Sequence, residues 1–186
     1  AHCVVDPATH VGQQGDFVFQ PAFANGASAV SIAVDYMWWG TGTPDDHRGS
    51  DWAIMRLVTP IGDQYGWLGI QPTTIENFPL DLTVAGYSGD FHNGKTAGID
   101  YHCKVHGSDA GLGVVFHDCD TTRGASGGPA LRIVGNQVTI IGINVAERRD
   151  GGALSLHRDH YDEAHANMAI PSAAALEKLK AILSTP

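Results

Sequence analysis

Apolar and polar residues alternate with a period of two along most of this chain. Residues 30–36 and 99–105 show the alternation most clearly, with mainly aliphatic or aromatic side chains on one face and polar side chains on the other. This pattern predicts half-buried strands. Similar runs, punctuated by Gly, Pro, Asn and Asp, predict further strands at 17–20, 52–58, 80–87, 112–116, 129–134, 137–146 and 167–170.

The pattern changes to a helical period only at the end of the chain. Leu176, Leu179 and Leu183 form an apolar stripe, and Ser172 is placed to cap a helix that begins after it. A series of strands followed by one helix is typical of an all-β sandwich or a pair of β-barrels. It lacks the strand–helix alternation of a nucleotide-binding α/β sheet.

The charge composition of the chain limits the kinds of molecule that it is expected to bind. The 186 residues include 11 Lys and Arg against 20 Asp and Glu, for a net charge of −9. An acidic chain repels phosphate, so we expect no nucleic-acid partner and no anionic membrane partner. No apolar stretch approaches the roughly 18–20 residues of a transmembrane helix. The 23 glycines and 9 prolines agree with a fold rich in turns.

The chain has three cysteines, Cys3, Cys103 and Cys119. Cys103 and Cys119 flank two strand-like runs, and a disulfide between them would clip a hairpin in an oxidising compartment. Cys3 would then be free, or bonded to a cysteine outside this chain. The alternative is a cytosolic protein with three reduced thiols.

The segment 124–129, Gly-Ala-Ser-Gly-Gly-Pro, carries the strongest local signal for chemistry. A serine between glycines in a tight turn exposes its hydroxyl and lets a substrate backbone approach closely. The main-chain N–H groups of Gly124 and Ser126 are candidates for holding an oxyanion. By itself the segment also fits an ordinary Gly-rich hairpin turn.

A serine nucleophile requires a base, and the base requires an acid that orients it. His2 lies in an Ala-His-Cys sequence, and Asp51 stands at the head of the apolar run 51–57. The order His2, Asp51, Ser126 is that of one of the convergent triad classes. A histidine base of ordinary pKa predicts activity that rises with pH around a midpoint of about 6.5–7.

Together these motifs resemble the trypsin/chymotrypsin-fold serine peptidases, and most of all their bacterial, glutamyl-endopeptidase-like branch. Residues 1–3 match the end of the family's T-A-A-H-C motif, and 51–57 match its D-x-A-hydrophobic-hydrophobic-x-L motif. Residues 124–129 match G-x-S-G-G-P in full. The Cys-Asp-Thr run at 119–121 and the strand that precedes the terminal helix are also similar.

The resemblance implies an all-β fold of two antiparallel six-stranded β-barrels, with the active site between them and a C-terminal helix. In a single peptidase domain 1–186, we place the remainder of the N-terminal barrel in 1–75 and the C-terminal barrel with the helix in 76–186. About nine predicted strands, instead of the family's twelve, indicate that the first strands of the N-terminal barrel are absent from this chain. A separate N-terminal fragment is therefore an expected partner, and it would carry the usual partner of Cys3.

The resemblance also implies a role for each catalytic group. Ser126 would attack the scissile carbonyl, His2 would take its proton, and Asp51 would orient His2. The amides of Gly124 and Ser126 would hold the oxyanion. The substrates would be proteins or peptides, no cofactor or metal would be needed, and the enzyme would be secreted or periplasmic.

Four residues are candidates for the substrate pocket. Asp120 stands where the family has the base of its primary pocket, next to Thr121, and Asn144 and Glu147 lie on the strand that forms the pocket wall. The glutamyl-specific relatives carry His at the position of Asn144. Two carboxylates without a wall histidine favour cleavage after Arg or Lys. Cleavage after Glu or Asp, as in a glutamyl-specific endopeptidase, and cleavage after small or apolar residues are the alternatives.

A function of a different class also stays open. A catalytically silent relative of the peptidases would serve as a binding or toxin-like module. Such relatives usually lack a member of the triad, whereas His2, Asp51 and Ser126 are all present here. The sequence therefore favours an enzyme.

The ten histidines invite a metal-site interpretation, which we do not favour. His102 and His106 share a spacing that stacks ligands on a helix, whereas this region alternates like a strand. The histidines within 157–165 lie in a polar loop and suggest only an incidental surface site. Four others are interpreted as solvated or turn residues: His10, His47, His92 and His117.

Overall fold

The computed structural model describes residues 1–13, 15–73, 78–148 and 161–184, and it consists mostly of strands. The strands are β1 (Val18–Phe19), β2 (Ile32–Trp39), β3 (Ala53–Leu57), β4 (Gly69–Ile70), β5 (Leu80–Gly86), β6 (Gly98–Asp109), β7 (Val114–His117), β8 (Pro129–Val134), β9 (Gln137–Glu147) and β10 (Asn167–Pro171). The helices are α1 (Gly62–Tyr65) and α2 (Ala173–Leu183), with 3-10 turns at Arg48–Ser50, His92–Gly94 and Glu163–His165. Within the described ranges, neither helix has the length and apolarity to cross a membrane.

Strands β5 to β10 form a closed antiparallel barrel of six strands. Their order around the barrel is β5–β6–β7–β10–β9–β8, and the pairing of β8 with β5 completes the circle. Strand β10 closes the barrel because it pairs with β7 on one edge and with β9 on the other. Its first residue, Asn167, therefore lies opposite both His117 and Glu147.

Two apolar clusters lie on opposite faces of the barrel wall, because they take alternate residues of β7 and β10. The first consists of Leu82, Val84, Cys103, Val105, Val115, Cys119, Ala130, Ile141 and Ala169. The second consists of Val114, Phe116, Val145, Ala166, Met168 and Ile170. Trp52, at the start of the run that leads into β3, packs against the second cluster. Because Trp52 follows Asp51 directly, this packing holds Asp51 where the first sheet meets the barrel.

The predicted disulfide is confirmed: it joins Cys103 in β6 to Cys119 just beyond β7. Both residues are buried in the first apolar cluster. The pairing of neighbouring antiparallel strands brings their Cα atoms to 4.7 Å, which is within the range that a disulfide spans. Cys3 is free and exposed.

Strands β1, β2 and β3 form a separate antiparallel sheet of three strands. Several large apolar side chains of this sheet are exposed, including Val18, Phe19 and Tyr36. Three strands are fewer than the six that the resemblance implies for a complete barrel, in agreement with the expected incomplete N-terminal barrel. The predicted boundary between 75 and 76 falls within 74–77, which lies outside the described residues.

The predicted strands are present, and most differences lie at their ends. β2 begins at Ile32 and runs to Trp39, and β6 continues to Asp109, because antiparallel partners extend each strand beyond its alternating core. Strand β4 was not predicted. It has two residues and pairs in parallel with β9, and so short a strand carries no periodic pattern.

Helix α2 follows Ser172 as predicted, but the predicted side-chain cap is wrong. The backbone of Ser172 is already helical, and its hydroxyl caps no main-chain N–H of the helix. Instead, Oγ of Ser172 donates a hydrogen bond to the carbonyl of Gln71 at 2.5 Å. Ser172 therefore ties the start of the helix to the segment that follows β4.

Removing the disulfide should destabilise the barrel without changing its topology. The double variant Cys103→Ala/Cys119→Ala opens a loop of 16 residues, and the chain-entropy treatment expects a loss of about 3 kcal/mol in the free energy of unfolding. Chemical denaturation monitored by tryptophan fluorescence measures the change, with Cys3→Ala as the control that leaves the disulfide intact. Equal stability of the double variant and the control would contradict the prediction.

Candidate active site

Asp51 and His2 form a hydrogen-bonded pair. Nδ1 of His2 lies 2.7 Å from Oδ2 of Asp51, and the main-chain N–H of His2 donates to Oδ1 at 2.7 Å. The main-chain nitrogen of Ala1 also donates to Oδ1. Asp51 is 1% exposed, whereas the side chain of His2 is 33% exposed. The carboxylate is therefore shielded from water while part of the imidazole ring stays accessible.

Packing on both sides holds this pair in place. Val4 and Val5, just after His2, are buried and pack against side chains of β2 and β3. Asp51 lies between a 3-10 turn and β3, and its neighbour Trp52 is anchored on the barrel. The two segments are distant in sequence and meet because both pack at the same end of the first sheet.

The pair shifts the pKa of both members. The hydrogen bond that His2 donates to Asp51, helped by a second one with Cys3, outweighs burial and raises the pKa of His2 from 6.5 to about 9. Burial by itself would raise the pKa of Asp51, but hydrogen bonds from His2 and the main chain outweigh it, and the pKa of Asp51 is lowered. Asp51 is therefore ionised and His2 protonated at neutral pH.

Ser126 lies in a turn that depends on glycine. Gly124 has φ of 107°, which side chains other than glycine rarely adopt, and a Cβ there would lie 2.5 Å from the carbonyl oxygen of Tyr87. A Cβ on Gly128 would collide with the carbonyl oxygen of Ala85. The loop 124–128 therefore packs its backbone directly against the end of β5.

Two main-chain N–H groups of this loop are available to bind a ligand. In the part of the chain that the structure describes, the N–H groups of Gly124 and Ser126 have no hydrogen-bond acceptor. By contrast, the N–H of Gly127 donates to the carbonyl of Asn144 at 2.8 Å. Unpaired N–H groups of the nucleophile itself and of the residue two before it are the kind of donors that an oxyanion requires.

The segment that carries His2 lies against the Ser126 loop. Sγ of Cys3 is 3.9 Å from the carbonyl oxygen of Ser126. The hydroxyl of Ser126 donates to the carbonyl of Val145 at 3.3 Å, and among the described residues it has no hydrogen bond with His2. Proton transfer to His2 would therefore require rotation of the serine side chain first. Such loosened hydrogen bonds are common in sites without substrate.

A cavity of about 200 Å³ opens beside Ser126, and we call it the Ser126 cavity. It is lined by Thr121, Thr122, Arg123, Ser126, Asn144, Ala146, Glu147 and Asn167. Three of the four predicted pocket residues are therefore in its wall. The fourth, Asp120, is exposed and lines a separate cavity of about 650 Å³. Its main-chain N–H donates to the carboxylate of Asp100, which places Asp120 on the side of β6.

Two buried residues near Ser126 are not among the predicted site residues: Asn167, which lines the Ser126 cavity, and His117, which is hydrogen-bonded to the lining residue Asn144. The prediction that His117 is a solvated or turn residue is wrong, because His117 lies in β7 and is 0% exposed. His117 lies two residues after the buried Val115 and therefore on the same face of the strand. This two-residue period could have predicted that His117 is buried. Asn167 is buried at the start of β10. The other three histidines of that group are exposed as predicted: His10, His47 and His92.

The metal interpretation gains no support from the described residues. His102 and His106 lie on strand β6, and His106 pairs with Asp118. No three potential ligands form a cluster in 1–13, 15–73, 78–148 or 161–184. Of the histidines within 157–165, those at 157 and 160 lie outside the described residues.

The known structures that are similar to this chain are described as proteases. Neither a protein-family profile nor a curated protein sequence matches the chain. A Glu endopeptidase solved in complex with MPD is similar in structure, with a TM-score of 0.71, 20% identity, and coverage of 100% of this chain and 79% of that one. The thermostable serine protease AL20 from an extremophilic microorganism has a TM-score of 0.72 and 19% identity, with coverage of 100% and 82%.

Two further structures extend this comparison. The protease Anisep from Arthrobacter nicotinovorans has a TM-score of 0.64 and 17% identity, and covers 91% of this chain and 74% of its own. An inactivated protease paralogue of the scabies mite has a TM-score of 0.53 and 12% identity, with coverage of 82% and 68%. The chain therefore has the trypsin/chymotrypsin fold, which it shares with structures described as proteases and with one described as an inactivated protease paralogue.

The raised pKa of His2 can be tested by removing the charge of its partner. Asp51→Asn should lower the pKa of His2 from about 9 towards 6.5, because the neutral amide no longer stabilises the imidazolium. Titration of the histidine ring signals by NMR measures the change. Asp35→Asn, which removes an exposed carboxylate paired with Arg56, is the matched control. An unchanged pKa of His2 in Asp51→Asn would contradict the assignment.

Proposed function

We propose that this chain is a serine endopeptidase in which Ser126 is the nucleophile, His2 the general base and Asp51 the group that orients the base. The observation that carries the proposal is the Asp51–His2 pair, which lies against the loop of Ser126 through the contact of Cys3 with that loop. A carboxylate-bound imidazole next to a serine loop supplies the base that activates a serine, once the hydroxyl of Ser126 rotates from Val145 towards His2.

The reaction follows from these roles. Oγ of Ser126 forms a bond to the scissile carbonyl carbon while its proton passes to Nε2 of His2. The imidazolium, stabilised by Asp51, then gives that proton to the leaving amine as the peptide bond breaks. Water attacks the acyl-enzyme in the same way and releases the acid. No step needs a group beyond the chain, the substrate and water.

The oxyanion would be held by the N–H groups of Gly124 and Ser126. Both lack an acceptor within the described residues, and the glycine at 124 lets the substrate approach the backbone. Loss of one such donor in related chemistry costs about 3–4 kcal/mol of transition-state stabilisation. The arrangement therefore supplies a substantial part of the rate enhancement expected of a peptidase.

A catalytically silent binding module is the second candidate function. Two observations are compatible with it, although they do not favour it over a peptidase: the inactivated paralogue among the structural neighbours, and the hydrogen bond that turns the hydroxyl of Ser126 towards Val145. Labelling with an organophosphate that reacts only with activated serines separates the two candidates. An active site incorporates the label at Ser126, and a silent module does not.

The predicted preference for Arg or Lys depends on carboxylates near the substrate side chain. Glu147 lines the Ser126 cavity, whereas Asp120 lines the other cavity, so Glu147 alone would have to attract a cation. A preference for Glu, as the name of one structural neighbour indicates for that protein, would have to use Arg123 at the cavity, because Asn144 stands at the position of the glutamyl-specific histidine.

The buried disulfide supports an extracellular or periplasmic location, because such bonds persist in oxidising compartments. The partners that a peptidase requires are proteins or peptides. We also propose that a separate N-terminal fragment can cover the three-stranded sheet. The exposed Val18, Phe19 and Tyr36 support this partner, since apolar side chains on an open sheet gain from being covered.

Replacing the nucleophile is the direct test of the peptidase function. Ser126→Ala should fold normally and lower turnover of a cleaved peptide by about 10⁴-fold or more, since the members of a triad act as a unit. Ser108→Ala, which changes an exposed serine of β6, is the matched control and should retain full activity. Retained activity in Ser126→Ala would contradict the proposal.

The pH dependence of activity tests the role of His2. The base must lose its proton before it can act, and the pKa of His2 is about 9, so kcat/KM should rise with pH to a midpoint near 9. This value replaces the midpoint of about 6.5–7 expected from an ordinary histidine. The assay needs a peptide without groups that titrate in this range. A profile that is flat over this interval would contradict His2 as the base.

A further inference from the structure

The buried part of the wall of the Ser126 cavity is uncharged and consists of Thr121, Asn144 and Asn167. Asn144 and Asn167 both line the cavity and are 4% and 7% exposed. The charged residues of the lining are more accessible: Arg123 is exposed and Glu147 half-buried. Because these two have opposite signs, the cavity has no dominant charge. Its selectivity therefore depends on hydrogen bonds with the buried amides.

His117 determines which way Asn144 faces. Nδ1 of His117 accepts a hydrogen bond from the main-chain N–H of Cys119 at 3.3 Å, so the proton of the neutral ring is on Nε2. Nε2 lies 3.1 Å from Oδ1 of Asn144 and donates to it. Burial lowers the pKa of His117 to about 4, which keeps the ring neutral over the working range of pH.

Asn144 therefore presents its amino group and not its oxygen to the loop and the cavity. With Oδ1 occupied by His117, Nδ2 donates one hydrogen to the carbonyl of Ala125 at 3.2 Å. The second hydrogen of Nδ2 has no acceptor among the described residues. Asn144 supplies the cavity with one hydrogen-bond donor.

Asn167 has the opposite orientation. Its Nδ2 donates to the carbonyl of Cys119 at 2.7 Å and to that of Thr121 at 3.2 Å, which uses both amide hydrogens. These two contacts leave Oδ1 of Asn167 as the remaining polar atom, without a donor in the described part of the chain. Asn167 therefore supplies the cavity with one hydrogen-bond acceptor.

We propose that the Ser126 cavity receives the substrate side chain that precedes the scissile bond and selects a carboxamide, that is Gln or Asn, through Nδ2 of Asn144 and Oδ1 of Asn167. A carboxamide carries one acceptor oxygen and an NH₂ donor, so it satisfies both groups of the wall at once. The proposal deepens the proposed peptidase function and rests on it.

Charged side chains fit this wall less well. A carboxylate would accept a hydrogen bond from Asn144 but would face the oxygen of Asn167. An ammonium or guanidinium group would donate to the oxygen of Asn167 but would face the amino group of Asn144. Burying a charge without a full partner is costly, whereas a neutral amide loses nothing in ionic hydration. An apolar side chain would leave both asparagines unsatisfied, which is the penalty that gives hydrogen-bonding pockets strong discrimination.

A set of fluorogenic peptides that differ only in the residue before the scissile bond tests the proposal. The residues compared are Gln, Asn, Glu, Lys, Arg and Leu, and kcat/KM is measured at a pH near 9, where His2 is partly deprotonated. We expect the better of the Gln and Asn peptides to exceed each of the other four by about tenfold or more.

The possible outcomes distinguish a failure of the carboxamide pocket from a failure of the proposed peptidase function. Preference for Lys or Arg, for Glu, or for Leu would overturn the carboxamide pocket while leaving a serine peptidase. Absence of both cleavage and organophosphate labelling would overturn the peptidase function and the pocket together. Labelling at Ser126 without cleavage of the Gln and Asn peptides would overturn the pocket alone.

A variant of the same size tests the role of Asn144. Asn144→Asp replaces the donor with a carboxylate and should shift the ratio of kcat/KM for the Lys peptide to that for the Gln peptide upward by about tenfold or more. Asn93→Asp, in an exposed turn, is the matched control and should leave the ratio unchanged. An unchanged ratio in a folded Asn144→Asp would overturn the assignment of Asn144.

His117 acts through Asn144 and is therefore a positioning residue. His117→Leu should reduce the preference for the Gln peptide over the Glu peptide by about tenfold, whereas His117→Gln, which keeps an N–H donor, should restore it. His106→Leu, on β6 outside the cavity, is the control. A merely structural role would lower kcat/KM for all peptides by the same factor and leave the preference unchanged. If His117→Leu does not fold, the Asn144→Asp comparison still decides the proposal.

Discussion

Closure of the barrel by β10 is the constraint on which the rest of the site depends. β10 pairs with β7 and β9 at once, and its first residue, Asn167, lies opposite His117 on one side and Glu147 on the other. Main-chain hydrogen bonds of Asn144 on β9 then hold the loop of Ser126. Without closure these strands would have open edges, and the residues that line the Ser126 cavity would have no common wall.

The same closure surrounds several polar groups with apolar side chains. Buried polar groups are tolerated only when they are hydrogen-bonded, and each bond made also fixes an orientation. His117 fixes the amide of Asn144, and two carbonyls fix that of Asn167. Asp51, which lies outside the barrel at the end of the three-stranded sheet, follows the same rule: it is buried and hydrogen-bonded to His2, and this bond raises the pKa of His2.

The proposed catalytic groups come from two parts of the molecule. His2 and Asp51 lie at the end of the three-stranded sheet, and Ser126 belongs to the barrel. Their relative position depends on Trp52, which packs into the second apolar cluster directly after Asp51, and on helix α2, which contacts β3 and the neighbouring 3-10 turn. The geometry of the site therefore depends on the packing between the sheet and the barrel as well as on the loops that hold the catalytic residues.

The two-residue alternation predicted the strands and the helical period of the last segment predicted the terminal helix, because periodicity and turn residues act locally. The Gly-Ala-Ser-Gly-Gly-Pro segment likewise identified the Ser126 loop, since its glycines meet steric limits within the loop and against β5. Only the tertiary structure decided the burial of His117, the position of Asp120 outside the Ser126 cavity and the raised pKa of His2. Each of these depends on groups brought together from distant parts of the sequence, where burial and hydrogen bonding change the properties of a side chain without any local signal.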